Sequence, residues 1–218
     1  ASPTRSNRPQ SAVAESPCWI HMRTRPASPV LLLASSRSDG NTFALARLVL
    51  PEASTPLVNL SALRISYYSY SNDNASDDFL PLVEELMASP LWVLATPLYW
   101  YSMSAQAKTF IDRLSDLLSF HKPLGRQLHG KSLAVLCAGT DEQLRSSFEE
   151  PFELTAKYFG MSHAGCLYAQ FEGSRLVHPR IAASAQAFGR ALVQKASNDS
   201  IERTRSGLRP PRAAEVER

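Results

Sequence analysis

Two stretches of this 218-residue chain combine residue types suited to holding a ligand. The first is Ser35-Ser36-Arg37-Ser38-Asp39-Gly40-Asn41-Thr42, which directly follows the apolar run Val30 to Ala34 (VLLLA). A polar loop between a strand and a helix makes an anion site, because first-turn N–H groups have no partner inside the helix and its dipole favours negative charge. The hydroxyls of Ser35 and Thr42 and the Asn41 amide can donate to phosphate oxygens, and Arg37 can add charge or a bidentate contact. Gly40 permits close approach to the backbone. The spacing fits neither GxGxxG nor GxxxxGK[ST], which disfavours dinucleotide and P-loop readings. The plainer alternative is an ordinary N-cap, since Ser, Asn and Thr suit any helix start.

The second stretch is Thr96-Pro97-Leu98-Tyr99-Trp100-Tyr101-Ser102-Met103-Ser104, after the apolar run Leu91 to Ala95 (LWVLA). Three aromatics where a buried strand meets solvent offer faces to a planar heterocycle, and nearby backbone amides can donate to its polar edge. Pro97 stiffens the turn that presents them. The competing reading is an aromatic cap over the core. Other chemistries find less support. Cys18, Cys137 and Cys166 form no CxxC pair, and Cys137 and Cys166 sit in apolar runs, as reduced core thiols of a cytoplasmic protein would. The five His residues lack metal-ligand spacing.

Composition sets the frame for these loops. Hydrophobic residues make up 44% and charged residues 20%, ordinary values for a folded domain. No apolar run approaches the roughly 18 to 20 residues that cross a bilayer. The net charge of +3 is concentrated at the ends. Residues 1–29 carry four Arg against one Glu, and residues 195–218 carry six Lys or Arg against four acids, which leaves the centre at −2. Nucleic-acid binding by the folded part therefore has no support. Residues 1–29 are rich in Ser, Pro and Arg without apolar periodicity and are expected to be a disordered extension, with Met22 as an alternative start. Residues 197–218 are expected to be a second disordered tail, leaving 30–196 as the domain.

Within that domain strands and helices alternate. VLLLA, Pro56 to Leu60 (PLVNL), LWVLA, Ser132 to Ala138 (SLAVLCA) and residues 162–169 read as strands. Residues 41–50, 79–88, 103–119, 142–159 and 179–195 read as helices. The long 103–119 segment places Ala107, Phe110, Ile111, Leu114, Leu117 and Leu118 on one face. Five strands alternating with helices make an α/β protein whose parallel sheet is covered on both faces. Rossmann and flavodoxin sheet orders both remain open at this point. Either one places ligands beyond the carboxyl ends of the strands.

The two motifs, SSRSDGNT and TPLYWYSMSAQAKTFIDRL, resemble together those of the NADPH-dependent FMN reductase and NAD(P)H:quinone oxidoreductase group of flavodoxin-like proteins. The resemblance spans roughly residues 30 to 170. It implies a flavodoxin-like three-layer sandwich with a five-stranded parallel sheet of order 2-1-3-4-5. It also implies FMN as cofactor and NAD(P)H as reductant. Carried over by position, Ser35, Arg37, Asn41 and Thr42 would hold the FMN phosphate, and Thr96, Pro97, Leu98, Tyr99 and Trp100 would line the ring. The loop Ala138-Gly139-Thr140-Asp141 would give the third contact, with Gly139 allowing close approach to the flavin and Thr140 beside it. Backbone N–H groups around 97–100 and 139–140 would face the ring's polar edge. Lys108, Asp112 and Arg113 are expected to be structural or subunit-contact residues.

Some relatives carry clustered cysteines for an iron–sulfur centre after the second strand. Here that region, Leu63 to Asn72, has none, so such a cluster is not expected. Its three tyrosines would either roof a substrate pocket or cover a sheet edge. The expected activity is flavin-mediated reduction of a quinone or similar small aromatic acceptor by a ping-pong course, with no catalytic side chain and no metal. A homodimer or homotetramer is expected, with no nucleic-acid or membrane partner. The competing functions are an electron carrier of the flavodoxin kind and a flavin-binding protein without turnover.

Overall fold

The short apolar runs become central strands because each is buried on both faces, so every residue can be apolar without exposing a hydrophobic side. A computed structural model describes residues 28–51, 55–178 and 180–205. In chain order the elements are β1 (Val30–Leu33), α1 (Asn41–Val49), β2 (Leu57–Asn59), α2 (Phe79–Leu86), β3 (Leu91–Pro97), α3 (Ala105–Arg113), α4 (Asp116–Ser119), α5 (Lys122–Gly125), β4 (Ser132–Gly139), α6 (Ser146–Tyr158), β5 (Ser162–Glu172), β6 (Arg175–Leu176) and α7 (Arg180–Arg205). All four residues of β1 and all seven of β3 are buried. The sheet order is β2-β1-β3-β4-β5-β6. The first five strands are parallel, in the order 2-1-3-4-5, and the two-residue β6 adds an antiparallel edge to β5. The sheet thus has six strands where five were expected; β6 is a hairpin return too short to show periodicity.

Alternation along the strands divides the core in two. Leu32, Leu94 and Val135 face α2, α3 and α6, where Phe79, Phe110, Phe148 and Phe152 pack. Leu31, Val93 and Leu136 face α1 and α7, where Leu45, Ala185 and Leu192 pack. This is a three-layer α/β/α sandwich. Register brings the loops together: Leu33 pairs with Ala95 and Pro97 with Ala138, so β1, β3 and β4 end at nearly one level.

Two boundaries differ from expectation. The helix expected over 103–119 is broken: α3 ends at Arg113, Leu114 and Ser115 bond back to Ile111 and Asp112, and α4 starts at Asp116. The apolar period survives the break because Phe110, Leu114 and Leu117 still enter one core, which is why periodicity alone hides it. The C-terminal boundary at 196 also moves, since α7 continues to Arg205. Its last turns dock through polar contacts. Buried Asp199 accepts from Ser132 Oγ at 2.6 Å and from Lys195 Nζ at 3.2 Å, and Arg203 donates to the His129 carbonyl at 2.6 Å. Hydrophobic patterning cannot reveal a helix end held that way. The expected N-terminal extension, apart from Ser28 and Pro29, and residues 206–218 of the expected tail lie outside the described residues, as does Cys18. Among the described residues no helix is long and apolar enough to cross a membrane.

Candidate functional site

The Ser35 loop leaves β1 and enters α1 with its positive end uncapped. The N-cap is Gly40, which has no side chain to give, and no acidic residue lies in the first turn. The hydroxyl-rich segment therefore does not cap its own helix. Arg37 folds back over this end: its Nε lies 3.6 Å from the position a Cβ on Gly40 would take. A guanidinium laid against a helix N-terminus puts like charges together, an arrangement stabilised when an anion sits between them.

The other phosphate candidates are partly committed. Ser35 is buried and its Oγ accepts from the Arg37 N–H at 3.4 Å, while its carbonyl accepts from Ser61 Oγ. Thr42 is buried in the first turn of α1. Asn41 Nδ2 donates to the Gly173 carbonyl at 2.7 Å, tying the β5–β6 turn to the loop. Asn41 as it stands is a brace, leaving Arg37 and the helix backbone as the exposed anion donors. Ser61 and Gln106, whose Nε2 donates to Ser36 Oγ at 3.0 Å, are supports that sequence reasoning missed. Their sequence contexts carry no signal for it.

After β3 the chain makes a two-residue turn. Tyr99 N–H donates to the Ser102 carbonyl at 2.9 Å, and Ser102 N–H returns to the Tyr99 carbonyl at 3.0 Å. Trp100 and Tyr101 sit between them with φ of +49° and +64°. Left-handed conformation at both central positions is the type I′ turn, which Asn-Gly normally fills; two bulky aromatics there are strained. Trp100 is 93% exposed and Tyr99 and Tyr101 about half exposed. The aromatic-cap reading therefore fails: the rings face outward while Leu98 and Met103 pack on the core. Arg145 from the β4–α6 loop lies 5.3 Å from the Tyr101 ring centre.

Thr96 and Pro97 are buried beneath this turn, and Thr96 Oγ1 accepts from the Ser104 N–H and donates to the Pro97 carbonyl. Thr96 thus supports the loop from inside. Of the expected backbone donors, Leu98 N–H is taken by the Ala138 carbonyl and Tyr99 N–H by Ser102, so within 97–100 only Trp100 keeps its N–H for a ligand edge. In the third loop, the room that Gly139 leaves is filled by protein. A Cβ there would stand 2.8 Å from Tyr168 Oη and 3.0 Å from Leu98 Cβ. Tyr168 Oη donates to the Asp141 carbonyl at 2.6 Å, and Gln170 Nε2 to the Thr140 carbonyl at 3.0 Å, so β5 holds this loop in place. Burial, with the nearby Asp141 charge, pushes the Tyr168 phenol up to about 12.

Beside the phosphate loop, a cavity of about 520 Å³ lies between residues 60–67 and the start of α3. Leu60, Ser61, Ile65, Tyr67 and Gln106 are among its walls. The 64–78 segment is fixed by Arg113, which is buried to 1% exposure. Arg113 bonds Asp77 through both terminal nitrogens, Asp116 at 2.8 Å and the Ser66 carbonyl at 3.0 Å, and it lies 4.6 Å from the Phe79 ring centre. Burial opposes the Asp77 charge, yet Arg113 and the Ser66 and Phe79 N–H groups outweigh it and lower the carboxyl pKa. Arg113 is a structural anchor, and Lys108 pairs with Asp112 along the exposed face of α3 at 2.7 Å. Tyr67 and Tyr70 are 81% and 89% exposed, so they cover no sheet edge. Burial raises the thiol of Cys137 and pushes that of Cys166 up to about 12, which leaves neither a nucleophile near neutral pH.

With this geometry in hand, comparison with known proteins is direct. The family model described as NADPH-dependent FMN reductase matches residues 29–168, which run from β1 into β5 and include all three loops. A protein of Bacillus subtilis (strain 168), which carries the name NAD(P)H-dependent FMN-containing oxidoreductase YwqN, is 31% identical over 103 residues. That match covers 45% of this chain and 56% of the relative, so the chain spans about half the length of the curated relative it matches. Among solved structures, Trp repressor binding protein from Bacillus subtilis superposes with a TM-score of 0.61 at 22% identity, covering 73% of this chain and 96% of that one. The flavodoxin, WrbA-like protein from Agrobacterium tumefaciens gives 0.53 at 17% identity, covering 79% and 99%. These two likenesses establish a flavodoxin-like fold.

Proposed function

Because the chain belongs to the NADPH-dependent FMN reductase family, we propose that it holds FMN across its three loops and reduces a quinone or similar small aromatic acceptor at the expense of NAD(P)H. The observation that carries this reading is the uncapped N-terminus of α1 with the Arg37 guanidinium laid over it, a site built for a phosphate monoester. The outward aromatic turn stands across the β1–β3 boundary from it and offers ring faces to the other end of the same ligand.

FMN supplies the hydride and electron chemistry when bound. The side chains then have a limited task. Arg37 and the first-turn N–H groups of α1 neutralise the phosphate. Tyr99 and Trp100 would offer faces for stacking, and the Trp100 N–H would donate to the ring edge. No side chain here is needed as acid or base: the Tyr168 proton is committed to the Asp141 carbonyl. Donor and acceptor would take turns beside these same loops, so the reaction would follow a ping-pong course. The exposure of Trp100, Tyr67 and Tyr70 supports a homodimer or homotetramer that covers them, and the free thiols of Cys137 and Cys166 fit the cytoplasm.

The test is steady-state NADPH oxidation with a soluble quinone varied at several NADPH concentrations. Parallel double-reciprocal lines are expected, and intersecting lines refute the ping-pong course. Consumption of no NADPH by FMN-loaded protein would replace the enzyme with a carrier or a flavin-binding protein. Arg37→Ala should weaken FMN by about 10- to 100-fold, the value of a hydrogen bond to a charged group.

A further inference from the structure

The phosphate loop and the aromatic turn leave different strands, yet one residue joins them. Ser104 is fully buried at the start of α3. Its Oγ donates to the Ala34 carbonyl at 2.7 Å, and Ala34 is the last residue before the phosphate loop. The same oxygen accepts from the Ala107 N–H at 3.2 Å and so caps α3. Its own N–H donates to Thr96 Oγ1 at 3.0 Å, and that hydroxyl donates onward to the Pro97 carbonyl at the root of the aromatic turn. Two residues further along, Gln106 of α3 reaches Ser36 of the phosphate loop. The end of β1, the end of β3 and the start of α3 are therefore locked to one another through one residue, whose hydroxyl holds β1 to α3 and whose N–H holds β3.

We propose that Ser104 is a positioning residue for FMN: it sets the spacing between the loop that holds the phosphate and the loop that holds the ring, and thereby makes the protein select a flavin 5′-phosphate over a flavin without one. This rests on the flavin reading above. A ligand that bridges two loops gains its second contact at little cost only if their spacing is already set; otherwise the gain is spent on ordering them. Removing the Ser104 hydroxyl strands the Ala34 carbonyl and the Ala107 N–H, both buried beneath the site, and frees the loops to shift relative to each other. Riboflavin engages the ring loop alone, so it loses less than FMN does.

The experiment measures FMN and riboflavin dissociation constants by quenching of flavin fluorescence on the full chain, together with the unfolding midpoint of each variant. The variants are Ser104→Ala, Thr96→Val, and Ser132→Ala as control. Ser132 is equally buried and also donates from its hydroxyl, but to Asp199 at the opposite end of the sheet. Ser104→Ala is expected to weaken FMN about tenfold and to lower the preference for FMN over riboflavin by about fivefold, the scale of one to two buried hydrogen bonds. Thr96→Val, which removes the acceptor of the Ser104 N–H, should shift the preference in the same direction and carries the prediction alone if Ser104→Ala does not fold. Ser132→Ala should lower the unfolding midpoint and leave the preference where it was. An unchanged preference in Ser104→Ala or Thr96→Val, or an equal fall in Ser132→Ala, overturns the positioning role and leaves the flavin reading standing. A wild-type chain that binds neither flavin overturns both.

Discussion

Replacing Trp100-Tyr101 with Asn-Gly should stabilise the free protein and cripple the site at once. Both residues sit at positive φ, +49° and +64°, in a turn whose geometry Asn-Gly adopts without strain. A left-handed L-residue costs about 1–2 kcal/mol, so relief at two positions is worth about 2–4 kcal/mol. Against this, the Arg145 contact to the Tyr101 ring is lost, at about 0.5–1 kcal/mol for an exposed cation–π pair. Trp100 is 93% exposed, so its removal uncovers almost no buried surface. The net expectation is a gain of about 1–3 kcal/mol in unfolding free energy for the double variant. Urea unfolding of the flavin-free protein reads this as a higher midpoint at unchanged slope. FMN affinity should fall by about tenfold, since each aromatic stacking contact is worth about 0.5–1.5 kcal/mol. Opposite signs are the signature of strain kept for function. A double variant that is less stable than wild type, or that binds FMN as tightly, would refute the argument.

Three further outcomes follow from the same contacts. Gly139→Ala should cost about 1–3 kcal/mol by thermal unfolding, because its Cβ collides with Tyr168 and Leu98; unchanged stability would mean that the space is open. Arg113→Met should cost about 3–5 kcal/mol by urea unfolding, because it leaves Asp77 and Asp116 buried without their cation, and a loss below about 1 kcal/mol would contradict that account. Lys131 is 1% exposed, donates to the Met87 and Ser89 carbonyls, and is lowered to about 7 by burial and by the Arg203 charge. Its folded pKa lies below the ordinary lysine value of 10.5, so the unfolded chain binds the extra proton and stability should rise with pH between those values. The slope is at most about 1.4 kcal/mol per pH unit, and Lys131→Met should abolish it; a wild-type stability flat over that range would contradict the buried neutral amine.

The parallel sheet was within reach of the sequence because doubly buried strands must be apolar throughout, as VLLLA, LWVLA and SLAVLCA are. Its order was not, since that pattern fits Rossmann and flavodoxin orders alike, and only the resemblance of the two motifs implied 2-1-3-4-5. The two site loops were legible for a related reason, since SSRSDGNT and PLYWY put functional residue types where a strand ends. The direction of each side chain was not. Asn41 and Thr96 have the chemistry of ligand donors but are engaged by Gly173 and Ser104, partners 132 and 8 residues away that only the fold brings near. Gly139 suggested a close approach, and the close approach is Tyr168. The turn at Trp100 was hidden because its conformation contradicts local preference; Asn-Gly would have announced it. The last turns of α7 were hidden because Asp199 and Arg203 dock by hydrogen bonds, which leave no periodic trace.

The most direct test of the central claim is the visible absorption of the purified protein incubated with FMN, freed of unbound flavin, and then mixed with NADPH in the absence of oxygen. The account predicts that FMN stays with the protein and that its oxidised bands bleach on addition of NADPH. Protein that retains no FMN, or retained FMN that stays oxidised, would contradict it.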